Sequence, residues 1–473
     1  MNRLRRATVV VAGIALMVSG CTNLLPGKPV SVFDDPFHVA GIPATDGPSG
    51  VRPDAPKPTR ELHGGNGSAD DQLAALSASD VEEFWQGAYP HPLKGTFKPV
   101  DGLISWDSND PKSKFCGYNT VGLVSAAFCP RDNTIGWDRS EFLPYLRNSF
   151  SDMAVPMVLA HEYGHSIQRQ AKLIDKSTPT LVLEQQADCF SGVYMRWVAE
   201  GNSKRFMLST ADGLNNLLAS MIWSRDPLLT GDDPQISVGV HGSAFERISA
   251  FQFGFTDGVG ACAGIDEKEI AQRRGDLPVT LQQNQSGDWP VTEDSVKAVM
   301  EALGILFSPA NPPQLRFDSP SCTDARPSDP VSYCPATNAI SVDLPQLQKM
   351  ATRNDNALAF GDNTAYSVLM SRYMLAIEHE KGGLVLDNAE TALRTACLTG
   401  VATTKMSKTM TVPDGHTVAL TAGDVDEAIS GILTNGLAAG NVNGESVPSG
   451  FSRIDAFRRG VLGDEGGCYK RYP

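Results

Sequence analysis

Nine cysteines stand in this 473-residue chain, and after Cys21 the other eight fall into two quartets. Cys116, Cys129, Cys189 and Cys262 are spaced by 13, 60 and 73 residues; Cys322, Cys334, Cys397 and Cys468 by 12, 63 and 71. A period this well kept implies one structural unit used twice. The flanking residues repeat in the same order. CPRDNTIGWD (129–138) matches CPATNAISVD (334–343), and VLAHEYGHSIQ (158–168) matches VLMSRYMLAIE (368–378). DCFSGV (188–193) matches ACLTGV (396–401), and LSTADGLNNLLAS (208–220) resembles LTAGDVDEAISGIL (420–433). FERISAFQFGF (245–255) matches FSRIDAFRRGV (451–461), each seven residues before a cysteine. The chain is too long for one ordinary core, so it reads as two related domains, 71–275 and 285–473, joined near LQQNQSGDWP. Each is expected to be α+β, mainly helical with a small sheet. The repeat predicts pairing within each half: Cys116–Cys129 and Cys189–Cys262, with Cys322–Cys334 and Cys397–Cys468 as their copies. Such bridges persist only in an oxidising compartment.

The N-terminus agrees with that compartment. MNRLRR is basic, and ATVVVAGIALMVSG is apolar but too short to span a bilayer comfortably. It ends Val18-Ser19-Gly20-Cys21. This resembles the lipobox of bacterial lipoproteins, with valine in place of the usual leucine. Residues 1–21 then read as a lipoprotein signal peptide, with Cys21 lipidated and the protein anchored outside the cytoplasm. Residues 22–70 are rich in Pro, Gly, Ser and Asp without an apolar period and read as a flexible linker, with His38 and His63 solvated. Formal net charge is −14, which argues against nucleic-acid or anionic-membrane surfaces as partners.

HEYGH places His161 and His165 four residues apart within a helical pattern. Both imidazoles then lie on one face, one turn apart, within reach of a single ion. Ser151 and Asp152 are candidate caps, and Pro156 fits only the first turn. Zinc suits two imidazoles, and a catalytic site adds a third protein ligand and leaves a position open. LVLEQQADCFSGVYMRWV (181–198) reads as a second helix. On it Glu184 can complete a His-His-Glu set, and Asp188 can accept the free ring N–H of His161. Glu162, beside the histidines without being a ligand, is placed to take a proton from water and pass it to a leaving amine. Tyr163 and Tyr194 read as core residues rather than proton donors.

These motifs resemble the gluzincin metallopeptidases, of which thermolysin is the best known. The nearer resemblance is to a bacterial family of neutral zinc metallopeptidases, of a mycobacterial lipoprotein type. In that family a segment like FCPRDNTIGWD precedes HExGHxxQ, then a motif like EQQADCFSG, then HGSxxxR; residues 128–138, 161–168, 184–192 and 241–247 match in order. The resemblance implies a zincin-like fold, one zinc per chain and a peptide or protein substrate. It implies that His241 stabilises the oxyanion. By the same analogy NTIGWD is either an edge strand that pairs with substrate backbone or an interior strand.

In the second half each chemical residue has a silent counterpart: Ser371, Arg372 and Leu375 for HExxH, Ala392 and Ala396 for Glu184 and Asp188, and Val447 for His241. Cysteines, Arg453, Phe457 and Gly460 are kept. The reading is therefore a lipid-anchored zinc metallopeptidase with a degenerate, metal-free second copy. Its rivals are a non-catalytic envelope scaffold derived from a peptidase, and an amidase acting on cell-wall peptides.

Overall fold

The segment around Cys129 folds as a hairpin because Asn133 takes a left-handed conformation (φ 48°) between two β-rich runs, which asparagine tolerates better than most residues. In the computed structural model, which describes residues 34–473 except 91, 229–240, 283–286, 320, 354–357 and 359–360, this hairpin anchors a four-stranded sheet. Its strands are β1 (Leu62–His63), β2 (Gly102–Trp106), β3 (Ala126–Cys129) and β4 (Thr134–Asp138). The order is β1-β2-β4-β3, parallel between the first three and antiparallel between β4 and β3. Helices α1 (Ala69–Ala88), α2 (Ala154–Gln170), α3 (Thr180–Ala199) and α4 (Ala244–Asp257) pack as a layer beside it.

Residues 293–473 hold a second, smaller sheet and a further set of helices. β5 (Gln314–Arg316), β6 (Val331–Cys334) and β7 (Ala339–Val342) form a sheet ordered β5-β7-β6, with one parallel and one antiparallel pair. The turn before β7 carries Asn338 at φ 44°. Helices α5 (Asp362–Lys381), α6 (Ala389–Met406), α7 (Asp424–Thr434) and α8 (Gly450–Val461) follow. Four disulfides form with the expected pairing: Cys116–Cys129, Cys189–Cys262, Cys322–Cys334 and Cys397–Cys468.

Close helix contact explains the glycines shared by the two halves. A Cβ on Gly192 of α3 would collide with the Phe251 carbonyl oxygen, and one on Gly254 of α4 with that of Cys189. In α6 and α8, Gly400 and Gly460 meet Phe457 and Cys397 in the same way. Each α3–α4 type pair is thus packed backbone to backbone and then stapled by its long-range disulfide.

Three expectations need correction. The stretch 34–70 is not a tether. Val39 is fully buried, Gly50–Val51 pairs with Phe206–Met207, and Leu62–His63 extends the main sheet. It shows no apolar period because it contributes edges to elements elsewhere rather than a face of its own. The two halves are also not separate lobes. One buried apolar cluster runs through both, and the described residues cluster as one unit. The halves exchange helix caps: Asp426 of α7 accepts from the backbone N–H groups of Ala244 and Phe245 at the start of α4 (3.0 and 2.9 Å), while Asn215 accepts from Gly450 at the start of α8 (2.8 Å). Finally, neither Ser151 nor Asp152 caps α2 with its side chain. Asp152 is bonded instead to Arg147 (2.8 Å), and the turn leading into the helix is closed by the carbonyls of both residues. Pro156 sits in the first turn as expected.

Candidate metal centre

Helix α2 presents His161 and His165 on one face with ring centroids 5.0 Å apart. Gly164 lies between them, and a Cβ there would meet the Ala187 backbone at 2.8 Å. Glycine at this point therefore lets α3 approach and bring Glu184 up to the histidines. One ring nitrogen from each histidine and one Glu184 carboxylate oxygen all lie within 4.8 Å of one another. His161 Nε2 is 3.1 Å from Glu184 Oε2, and His165 Nε2 is 3.7 Å from Glu184 Oε1. Two imidazoles and one carboxylate are a donor set that fits zinc with a position left open. All eight cysteines among the described residues are in disulfides, so no thiolate is available to close the set.

Asp188, one turn beyond Glu184, stands behind His161, its Oδ1 2.8 Å from Nδ1. With Nδ1–H donating to that carboxylate, Nε2 is left facing Glu184 as the metal-binding nitrogen. Asp188 is itself held by Arg247 of α4, whose Nε and Nη2 donate to Oδ2 and Oδ1, both at 2.9 Å. Arg247 Nη1 donates to the Ser224 carbonyl at 2.7 Å. Burial opposes ionisation of Asp188, but Arg247 and His161 together hold its carboxyl below the usual range. Burial likewise opposes a charge on His161. Asp188 and Glu184 outweigh it and push the imidazole up to about 10. Glu184 is drawn down to about 2, against its own burial, by His161, His165 and His241. Arg247 and His161 together thus face the two carboxylates of Asp188 and Glu184.

Glu162 lines a cavity of about 210 Å³ together with His161, Asp188, His241 and Arg247. His241 enters this cavity from the segment before α4. Its Nδ1 is 3.2 Å from Asp226 Oδ1 and its Nε2 is 3.8 Å from Glu184 Oε2. The Asp226 contact, working against burial and aided by Glu184, raises the His241 pKa. Asp226 also accepts from Gly242 N–H at 2.7 Å, which fixes the loop. Tyr163 and Tyr194 face away from the site: their hydroxyls donate to Glu82 and Asp80 of α1, at 2.8 and 2.7 Å.

The structure also decides between the two readings of NTIGWD. NTIGWD forms β4, which is interior between β2 and β3. The edge strand on that side is β3, and its Ala126, with Ser125 before it, lines the cavity beside His161. Arg247 stood visible in HGSAFER, but nothing local marked Asp188 as its partner. Asp226 carried no signal, being 15 residues from His241 with only a through-space link. At the corresponding place in the second half, Ser371 and Arg372 are fully buried. Arg372 Nε donates to the Val331 carbonyl at 2.9 Å, and burial lowers its pKa to about 10. A buried arginine fills the space where Glu162 borders a cavity.

An HExxH helix backed by a carboxylate on a neighbouring helix is the donor set of a zinc-dependent hydrolase. Residues 35–264 match the model of the family described as Putative neutral zinc metallopeptidase. No curated protein and no solved structure matches the chain. The family implies zinc and a peptide or protein substrate.

Proposed function

We propose that the protein is an extracytoplasmic zinc metallopeptidase, with zinc held by His161, His165 and Glu184. The observation that carries this is the convergence of those three donors on one point, with Asp188 fixing the ring of His161 and Glu162 on the adjoining cavity. Bound zinc supplies Lewis acidity toward a carbonyl and a water oxygen. Glu162 takes the proton of the attacking water and delivers it to the leaving amine. His241, oriented by Asp226, donates from Nε2 to the developing oxyanion. Arg247 holds Asp188 ionised, and Asp188 keeps the proton of His161 on Nδ1.

The same proposal covers the rest of the chain. The basic start, short apolar stretch and Cys21 support secretion and a lipid anchor; Cys21 lies outside the described residues. Among the described residues no helix is long and apolar enough to cross a membrane. The matched sheets, disulfides and reciprocal glycines support duplication, with residues 285–473 as a copy that kept the packing and lost the donors.

Elemental analysis of the chain beginning at residue 22 tests the centre. One zinc per chain is expected, lost or weakened in Glu184→Ala. Glu162→Gln is expected to keep the zinc and lose peptide hydrolysis. A folded, oxidised protein that takes up no zinc refutes the proposal.

A further inference from the structure

A second cavity, of about 270 Å³, opens on the other side of the loop that carries His241. Asp226 and Gly242, the residues that fix His241, form one wall, and Leu181, one turn before Glu184, forms another. Leu228, Phe245, Leu277 and Val279 continue an apolar lining. The remaining wall comes from the C-terminal half, through Gly423 and Val425 at the start of α7. Gly423 has φ +100°, and a Cβ there would come within 3.3 Å of Leu228 Cδ2, so glycine keeps this wall open.

The charged and polar side chains around the cavity already have partners. Arg225 faces Asp426 at 4.0 Å, Arg273 pairs with Glu269 at 2.9 Å, Arg274 with Glu246 at 2.5 Å, and Arg353 with Glu427 at 3.3 Å. Asp226 is taken by His241. A charged group entering would have to break one of these pairs, whereas an apolar group loses nothing. The volume lies just below the roughly 300–1,000 Å³ of pockets that enclose a whole small molecule. It suits one or two side chains of a chain that continues outside.

We propose that this cavity is the specificity subsite for a bulky apolar side chain flanking the scissile bond, and that the C-terminal half closes it. The inference rests on the peptidase reading for the word "scissile", but not for the binding itself. It gives the metal-free half a role in substrate selection. Val425 shapes the subsite while Asp426, next to it, caps the helix that follows His241. The half that lost its own donors is kept because the active half has no complete cleft without it.

The test is calorimetric binding of two peptides to zinc-loaded Glu162→Gln protein: acetyl-Ala-Ala-Leu-Ala-Ala-amide and its all-alanine counterpart. The leucine peptide is expected to bind about 10-fold or more tightly, the discrimination a good apolar pocket gives. Val425→Phe, which fills the pocket from the second half, should reduce this ratio to about 2 or less and leave the alanine peptide within about 3-fold. Val279→Asp, at a half-exposed rim position where folding is not at stake, should lower the ratio in the same direction. No leucine preference in the parent, or a preference unchanged in both folded variants, overturns the proposal. A Val425-dependent preference in a protein that hydrolyses no peptide would sustain the subsite and sink the peptidase reading instead. Hydrolysis with no such preference would do the reverse.

Discussion

Replacing Asp188 with asparagine tests the centre at the residue on which its order depends. Asp188 is 2 % exposed and accepts three hydrogen bonds, one from His161 and two from Arg247. Asparagine keeps the shape but offers one oxygen and turns an N–H₂ toward N–H donors. Two losses follow. His161 loses the carboxylate that fixes its tautomer, which for such partners weakens metal binding by about 10–100-fold, or about 1.4–2.8 kcal/mol. Arg247, itself 8 % exposed, is left without a charged partner, and breaking a buried pair from one side costs about 3–5 kcal/mol. Zinc competition with a chromogenic chelator reads the first loss, and urea denaturation of the metal-free protein reads the second. Double substitution of Asp188→Asn with Arg247→Met should recover part of the stability without recovering zinc affinity. Zinc affinity within about threefold of the parent in folded Asp188→Asn would refute the role given to this carboxylate.

Further outcomes are expected elsewhere. Burial, with repulsion from Asp362, raises Asp424 to about 8 and Glu427 to about 9 at the start of α7. The folded state then binds protons that the unfolded chain releases near pH 4, so stability should fall as pH rises from about 4 to about 9. Urea midpoints at about pH 6 and 9 should show the drop, and Glu427→Gln should flatten it; an equally steep profile in that variant would contradict the assignment. Removing Cys189–Cys262, which closes a 73-residue loop, should cost about 4 kcal/mol against about 3 for Cys116–Cys129 with its 13-residue loop. Non-reducing denaturation of serine variants measures both. Gly254→Ala drives a methyl into the Cys189 carbonyl and should destabilise by about 2 kcal/mol or more. A melting temperature equal to the parent's would show that α3 and α4 can part without cost.

Much of this arrangement was legible because its determinants are local or periodic. The i, i+4 spacings of His161–His165 and Glu184–Asp188 follow from helix geometry alone, and each helix needed only its own residues to display its donors. The disulfide pairing followed from a spacing kept twice along the chain. What the chain could not disclose linearly were relations made by packing. Residues 34–70 looked like a linker because strands that complete a distant sheet bury edges and need no apolar face. The interior position of NTIGWD depended on β2, which pairs with it from a distant stretch of the chain. Arg247 behind Asp188, and Asp226 behind His241, are contacts between elements whose separation in sequence carries no period. The fusion of the halves was equally hidden, since caps exchanged through Asp426 and Asn215 are single polar residues at helix ends. Local spacing chose the chemistry of this protein; only the tertiary structure decided what orients it, because orientation is fixed by buried partners that the fold, not the spacing, brings within hydrogen-bond reach.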